Sequence, residues 1–159
     1  MKVEYINPFI NSVNNTVETM LGVKAERSAP FVKDNLLARG DVSGLIGFAD
    51  KNISGSVALS FPTGTALKIY RMMMGETVFK INNDVQDTVG ELTNIVCGGA
   101  KQEFAKMGLS FHISIPSIIV GKGHQITHKQ HTPIVVIPFA IEQSPFAMEI
   151  TMKIIPKKA

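Results

Sequence analysis

Apolar residues recur every three or four positions in two long stretches of the chain and alternate with polar ones through most of the rest. Val85, Val89, Leu92 and Val96 fall on one side of a segment from Asn83 to about Met107, which predicts the longest helix, stopped by Gly108. The Asn83 side chain suits its first N–H groups, and Gln86 the reciprocal position of a capping box. A first helix, Asn7 to Leu21, carries Phe9, Val13, Val17, Met20 and Leu21 on one face, with Asn7 as cap, Pro8 at its first position and Gly22 at its end. Between them a short helix is capped by Thr63 and runs through Met74, where Gly75 closes it. Leu67, Tyr70 and Met74 share a side of it, and the run Met72 to Met74 reads as core and gap filler rather than a ligand groove.

Strand-like runs occupy Lys24 to Val32, Asp41 to Phe48 and Ile53 to Phe61, then Ser110 to Val120, Pro133 to Glu142 and Ala147 to Ile155. The turn Ala49-Asp50-Lys51-Asn52 makes a hairpin of the second and third, and Gly121 to Gln130 is the longest loop. Each half of the chain then reads helix, strand, strand, strand, with the Met-rich helix between. The expected fold is α+β: one domain over residues 1–159, with a roughly six-stranded, mainly antiparallel sheet packed by helices and built from two pseudo-repeated halves.

The other side of the long helix points to function. Helical residues advance by about 100° each, so Asp87, Glu91 and Asn94 share one stripe opposite the apolar face. The stripe holds two carboxylates and a carboxamide with no cation among them, whereas a purely solvated face mixes in Lys or Arg at such spacings. Gly98 continues the stripe one turn beyond Asn94, and Gly90 interrupts the same helix. Each glycine costs about 1 kcal/mol relative to Ala, and a bare patch beside the stripe lets another backbone come close. In the first helix, Asn15 and Glu18 stand about where the second has Glu91 and Asn94, with the order of carboxylate and carboxamide lost.

Composition removes several classes. A chain 45% hydrophobic and 18% charged folds into a globule, and no apolar run approaches the roughly 20 residues of a membrane span. The start, Met1 to Pro8, has no apolar run fit for a signal peptide, so a cytoplasmic location is expected. A scattered net charge of +3 does not predict nucleic-acid binding, and Lys153 to Lys158 reads as a solvated strand end. The single Cys97 reads as a small, partly buried hydrophobe. His124, His128 and His131 are spaced for metal only if their loop were helical. The flanking Gly121, Gly123, Pro133 and lysines, with no acidic or Cys ligand nearby, favour a mobile polar loop. His112 reads as an outward strand residue, and Gly121-Lys122-Gly123 lacks the ending of a phosphate loop.

Asp87-x-x-x-Glu91-x-x-Asn94 on the polar face of a helix, followed by Pro116 with 21 residues between Asn94 and the proline, resembles the signature of the CheC, CheX and FliY family of chemotaxis phosphatases. The gap is one residue shorter than the family pattern. Chain length, the two-half organisation and a single intact motif on the second-half helix are most similar to the CheX branch, over nearly the whole chain. The resemblance implies hydrolysis of the aspartyl phosphate of a CheY-like response regulator. It implies that Asn94 positions the attacking water and that Glu91 docks a lysine of the partner, with Asp87 and Gly98 at the partner contact. Mg²⁺ would be supplied by the response regulator, with no cofactor of the chain's own, and a homodimer is implied. The residues alone define only a protein-binding face. A noncatalytic adaptor or flagellar-switch-like module therefore stays open, as does a metal sensor using the histidine loop.

Overall fold

The computed structural model describes residues 2–128 and 132–155. The helices are α1 (Val3–Leu21), α2 (Thr63–Met74) and α3 (Asn83–Lys106), and the strands β1 (Glu26–Arg27), β2 (Phe31–Val32), β3 (Val42–Asp50), β4 (Ile53–Phe61), β5 (His112–Ile113), β6 (Ser117–Val120), β7 (Val135–Ile141) and β8 (Ser144–Ile154). The strands form one antiparallel sheet in the order β1-β7-β8-β4-β3-β5, with β2 extending β1 along β7 and β6 extending β5 along β3. The six expected runs are all present. The first and fourth are each broken in two, which makes the sheet eight-stranded.

The pairing order reads the same from either end once the halves are exchanged. The first half contributes β1/β2, β3 and β4, the second β5/β6, β7 and β8, and each half's broken strand edges the other half's sheet. The breaks also match. Between Arg27 and Phe31 the edge strand spends four steps against three on β7, and between Ile113 and Ser117 four against three on β3. Each is a bulge of one extra residue, on Ser28-Ala29-Pro30 and on Ser114-Ile115-Pro116. In both corners the serine N–H still reaches the opposite strand, Ser28 to the Pro138 carbonyl at 3.0 Å and Ser114 to that of Gly47 at 2.8 Å.

All three helices cover one sheet face, and the core lies between. Phe9 of α1, Phe104 of α3, Phe48 of β3 and Phe111 form a contiguous ring cluster with centroids 4.9–5.7 Å apart. This core overrides local signals at the helix starts. The α1 helix begins at Val3 rather than Asn7, leaving Pro8 inside it, because Ile6 is buried and Tyr5 stacks on Phe104 at 6.4 Å. That packing offsets a backbone hydrogen bond lost at proline. The cap of α3 is Asn82, accepting from the Val85 N–H at 2.9 Å, not the expected Asn83 and Gln86. Thr63 is the first residue of α2 rather than its cap. Its N–H and hydroxyl donate to Asp41, at 2.9 and 2.8 Å, and these bonds hold the Asp41 carboxyl below its ordinary 3.8. Gly75 closes α2 in the left-handed conformation expected of it. Met72 and Met73 pack against the core, while Met74 is exposed.

The opposite face of the sheet is crossed by a strap. Residues 33–38 and 121–126 run beside each other, tied by Ala38 N–H to the His124 carbonyl and Ile126 N–H to that of Leu36, both 2.9 Å. Beneath it the outward-alternating residues of β3, β4 and β8 are polar or small and nonetheless buried, among them Ser43, Ser56, Ser60, Glu149 and Thr151.

Candidate functional site

The two glycine-rich turns of α3 are used differently. At Gly99 a Cβ would meet Ser12 Oγ of α1 at 2.3 Å, and Ser12 donates to the Val96 carbonyl at 2.7 Å, so the two long helices touch backbone to side chain there. At Gly90 a Cβ would meet Ile118 Cδ1 at 3.2 Å and Pro116 Cγ at 3.7 Å. The second-half bulge therefore leans on α3 at Gly90. At Gly98 nothing lies within 4 Å, so this glycine leaves open surface. Both glycines interrupt the helix, but Gly90 is filled from within and Gly98 is left bare.

The stripe itself stands clear of the fold. Val85, Val89, Leu92 and Val96 are buried, while Asp87, Glu91 and Asn94 are exposed on the opposite side. Among the described residues none of the three side chains makes a hydrogen bond or an ion pair. Four successive residues advance a helix by about 40° net and three by about −60°, so Gly90 neighbours Asp87 and Asn94, while Glu91 lies farther round. The Pro116 corner thus walls the stripe on the Asn94 side and leaves Glu91 at the open edge. Two carboxylates one helical turn apart and a neutral carboxamide, unpaired and accessible, suit charge pairing with a cationic partner group and orientation of a polar molecule.

The remaining candidates fall elsewhere. Cys97 is buried, and burial pushes its thiol up to about 12, which leaves it protonated and non-nucleophilic at neutral pH. His112 points outward from β5, as expected. His124 lies in the rear strap and His128 just beyond it, and both are hydrogen-bonded to serines of the sheet beneath rather than free in solvent. The Gly121 carbonyl only accepts, so His124 Nδ1, 2.7 Å away, carries a proton, and Nε2 accepts from the Ser43 hydroxyl at 2.7 Å when the ring is neutral. His128 pairs through Nδ1 with Ser56 and through Nε2 with Glu149 at 3.3 Å. Glu149 also takes a hydrogen bond from Lys33 Nζ, both side chains being almost wholly buried. Sequence reading found no acidic group near the histidines; Glu149 is brought there by β8, 21 residues beyond His128. Burial alone would raise its carboxyl, but the bonds and charges of His128 and Lys33 prevail and hold it below the ordinary 4.5. His131 lies outside the described residues, and among the described ones no three His, Cys, Asp or Glu side chains converge to hold a metal ion. No described helix is long and apolar enough to cross a membrane.

An α+β sheet of two interlocked halves, with an unpaired acid-and-amide stripe on the second-half helix, defines a protein of the CheC-like class. The sequence profile of the chemotaxis phosphatase CheX matches residues 42–140, and the chain belongs to that family. It is 39% identical to the chemotaxis protein CheX of Vibrio vulnificus, whose crystal structure superposes with a TM-score of 0.88 over 95% of this chain and 100% of that one. It is 24% identical over 155 residues to the CheY-P phosphatase CheX of Thermotoga maritima, covering 96% of this chain and 98% of that protein. The fold is shared with CheX in the CheX–CheY–BeF3–Mg²⁺ complex of Borrelia burgdorferi, at 23% identity and a TM-score of 0.81 over 96% and 99% of the two chains.

Proposed function

We propose that this protein, as a single CheX-like domain over residues 1–159, hydrolyses the aspartyl phosphate of a CheY-like response regulator, with the α3 stripe docked over the regulator's active site. The observation that carries the reading is the unpaired, exposed set Glu91 and Asn94 on a helix walled by Pro116. It is supported by the names borne by the Thermotoga maritima relative and by the Borrelia burgdorferi complex.

An acyl phosphate is already activated, so a phosphatase adds mainly a water held in line with phosphorus. The Asn94 side-chain oxygen accepts a hydrogen bond from that water and aims its lone pair at phosphorus. Water oxygen bonds to phosphorus as the bond from phosphorus to the aspartyl oxygen breaks, releasing inorganic phosphate and restoring the carboxylate. The carboxamide stays neutral beside the dianionic phosphoryl group, where a carboxylate would be repelled. Glu91, at the open edge, pairs instead with a lysine of the regulator and sets the angle of docking. Asp87, a turn nearer the helix N-terminus, and Gly98, bare and a turn beyond Asn94, complete the contact. Mg²⁺ belongs to the regulator, since the stripe offers only two carboxylates a helical turn apart. We also propose a homodimer, on the ground that an open sheet leaves edges to be paired.

The test is the decay of acyl-phosphorylated regulator. Wild-type protein accelerates it, and Asn94→Ala loses about 100-fold of that acceleration, the scale set by misplacing a reacting group. An unchanged decay rate with wild type leaves the noncatalytic adaptor reading in possession, and an Asn94→Ala protein as fast as wild type removes the role given to Asn94.

A further inference from the structure

The molecule carries its own comparison at the two bulged corners. Ser28-Ala29-Pro30 and Ser114-Ile115-Pro116 occupy pseudo-symmetric places, hold the same serine N–H bond to the opposite strand, and differ in sequence only at the middle residue. The corner belonging to the half whose helix has lost the carboxylate-to-carboxamide order carries Ala. The corner leaning on α3 carries Ile, and Ile115 is 86% exposed. An isoleucine that open stabilises nothing in the isolated fold. It is also not on a loose tip: Ser114 Oγ accepts from the Gly47 N–H at 3.0 Å and donates to the Ile115 carbonyl at 3.1 Å, while Pro116 rests on Gly90. The apolar side chain is therefore presented from a fixed corner that walls the Asn94 side of the stripe.

We infer that Ile115 is an apolar anchor for the docked response regulator, inserting beside the acyl-phosphate pocket on the flank opposite to Glu91. This rests on the phosphatase reading for the identity of the partner. Glu91 and Ile115 then bracket Asn94, one by charge and the other by burial, so that a regulator must offer a cation on one side of its phosphoryl pocket and an apolar depression on the other. Anchoring at two flanks fixes the tilt of α3 about its own axis, which a single ion pair leaves free, and the water on Asn94 depends on that tilt. Ile115 touches no reacting atom and acts through position.

The experiment measures binding and turnover separately. Binding uses the regulator loaded with beryllofluoride and Mg²⁺; turnover uses the acyl-phosphorylated regulator under single-turnover and steady-state conditions. Ile115→Ser weakens binding and raises KM about tenfold or more, the loss expected for an isoleucine no longer buried on association, while kcat falls far less than in Asn94→Ala. Val3→Ser is the control. Val3 is 69% exposed, but it lies at the end of α1 where Tyr5 stacks on Phe104, about 15 Å along α3 from Asn94, and its loss leaves binding and KM unchanged. Ile115→Val restores most of the wild-type affinity. Unchanged binding in Ile115→Ser overturns the inference and leaves the phosphatase reading standing. Weakened binding in a protein whose wild type does not speed decay supports the anchor and removes the hydrolysis. If Ile115→Ser instead shifts the mass measured by light scattering, the residue serves self-association and the inference falls.

Discussion

The two faces of this molecule treat carboxylates in opposite ways. Behind the sheet, Glu149 is wholly buried and held by Lys33 and His128. On α3, Asp87 and Glu91 are exposed and touch no partner among the described residues. A buried charge that lost its partners would cost several kcal/mol, so the rear cluster is saturated as a condition of folding. An exposed carboxylate has no such demand, because water solvates it. The rear face carries more conspicuous chemistry, with His128 between Ser56 and Glu149, and His124 on Ser43. The face with fewer internal contacts is the one suited to act on another molecule.

The sharpest break of that contrast is a pair of truncations. Glu149→Ala should cost about 3–5 kcal/mol in urea denaturation by stranding the Lys33 ammonium, whereas Glu91→Ala should stay within about 0.5 kcal/mol of wild type. Equal effects would mean that the rear network is not structural. Close packing between the helices and the sheet gives a smaller effect. In Gly44→Ala the new Cβ would meet Thr93 Oγ1 of α3 at 2.1 Å, so a loss of about 1–3 kcal/mol is expected, with Thr93→Ala in the same chain recovering part of it. A full loss in the double variant would place the clash elsewhere.

Acid separates the faces as well. Glu149 has a lower pKa folded than unfolded, so the native state binds its proton more weakly. Its stabilising contribution is complete above the unfolded value near 4.5 and drains away as pH falls through the depressed folded value. Asp41, depressed below 3.8, adds a second loss at lower pH. Melting temperatures of Glu149→Gln should start lower and fall less steeply below pH 4.5; a slope identical to wild type would assign the acid limb to other groups. The smallest effect is at the bare patch. Gly98→Ala has open space for its Cβ and should stabilise the helix by about 0.4–1 kcal/mol, while raising KM for the phosphorylated regulator if Gly98 gives a partner clearance.

How much of this was legible in the chain depended on the range of the interactions. The α3 stripe was readable because exposure on a long helix follows from spacing alone, and Asp87, Glu91 and Asn94 lie where that spacing put them. The repeat was readable as a pattern, but the exchange of edge strands was not, since nothing local says that β1 pairs with β7. The helix starts failed where distant packing won: Tyr5 on Phe104 drew α1 back past Pro8, and Asp41 took the capping role from Thr63. The rear cluster was invisible for the same reason, as Lys33 and Glu149 are separated by 116 positions. Ile115 passed unnoticed because one apolar residue before a proline reads as ordinary strand; only its exposure and its Ala29 counterpart single it out.

The exchanged edge strands bear on how the chain comes to fold. As synthesis proceeds, β1 and β2 are made more than a hundred residues before the β7 residues that they pair with, Glu26 waiting for Ala140 and Phe31 for Val136. The first half therefore leaves the ribosome with an unfinished sheet, and closure is delayed until nearly the whole chain is available. Folding dominated by such distant pairings should be slow for a protein of this size. A chain divided in the connection between α2 and α3 should give two fragments that are unstructured alone and regain the native sheet when mixed.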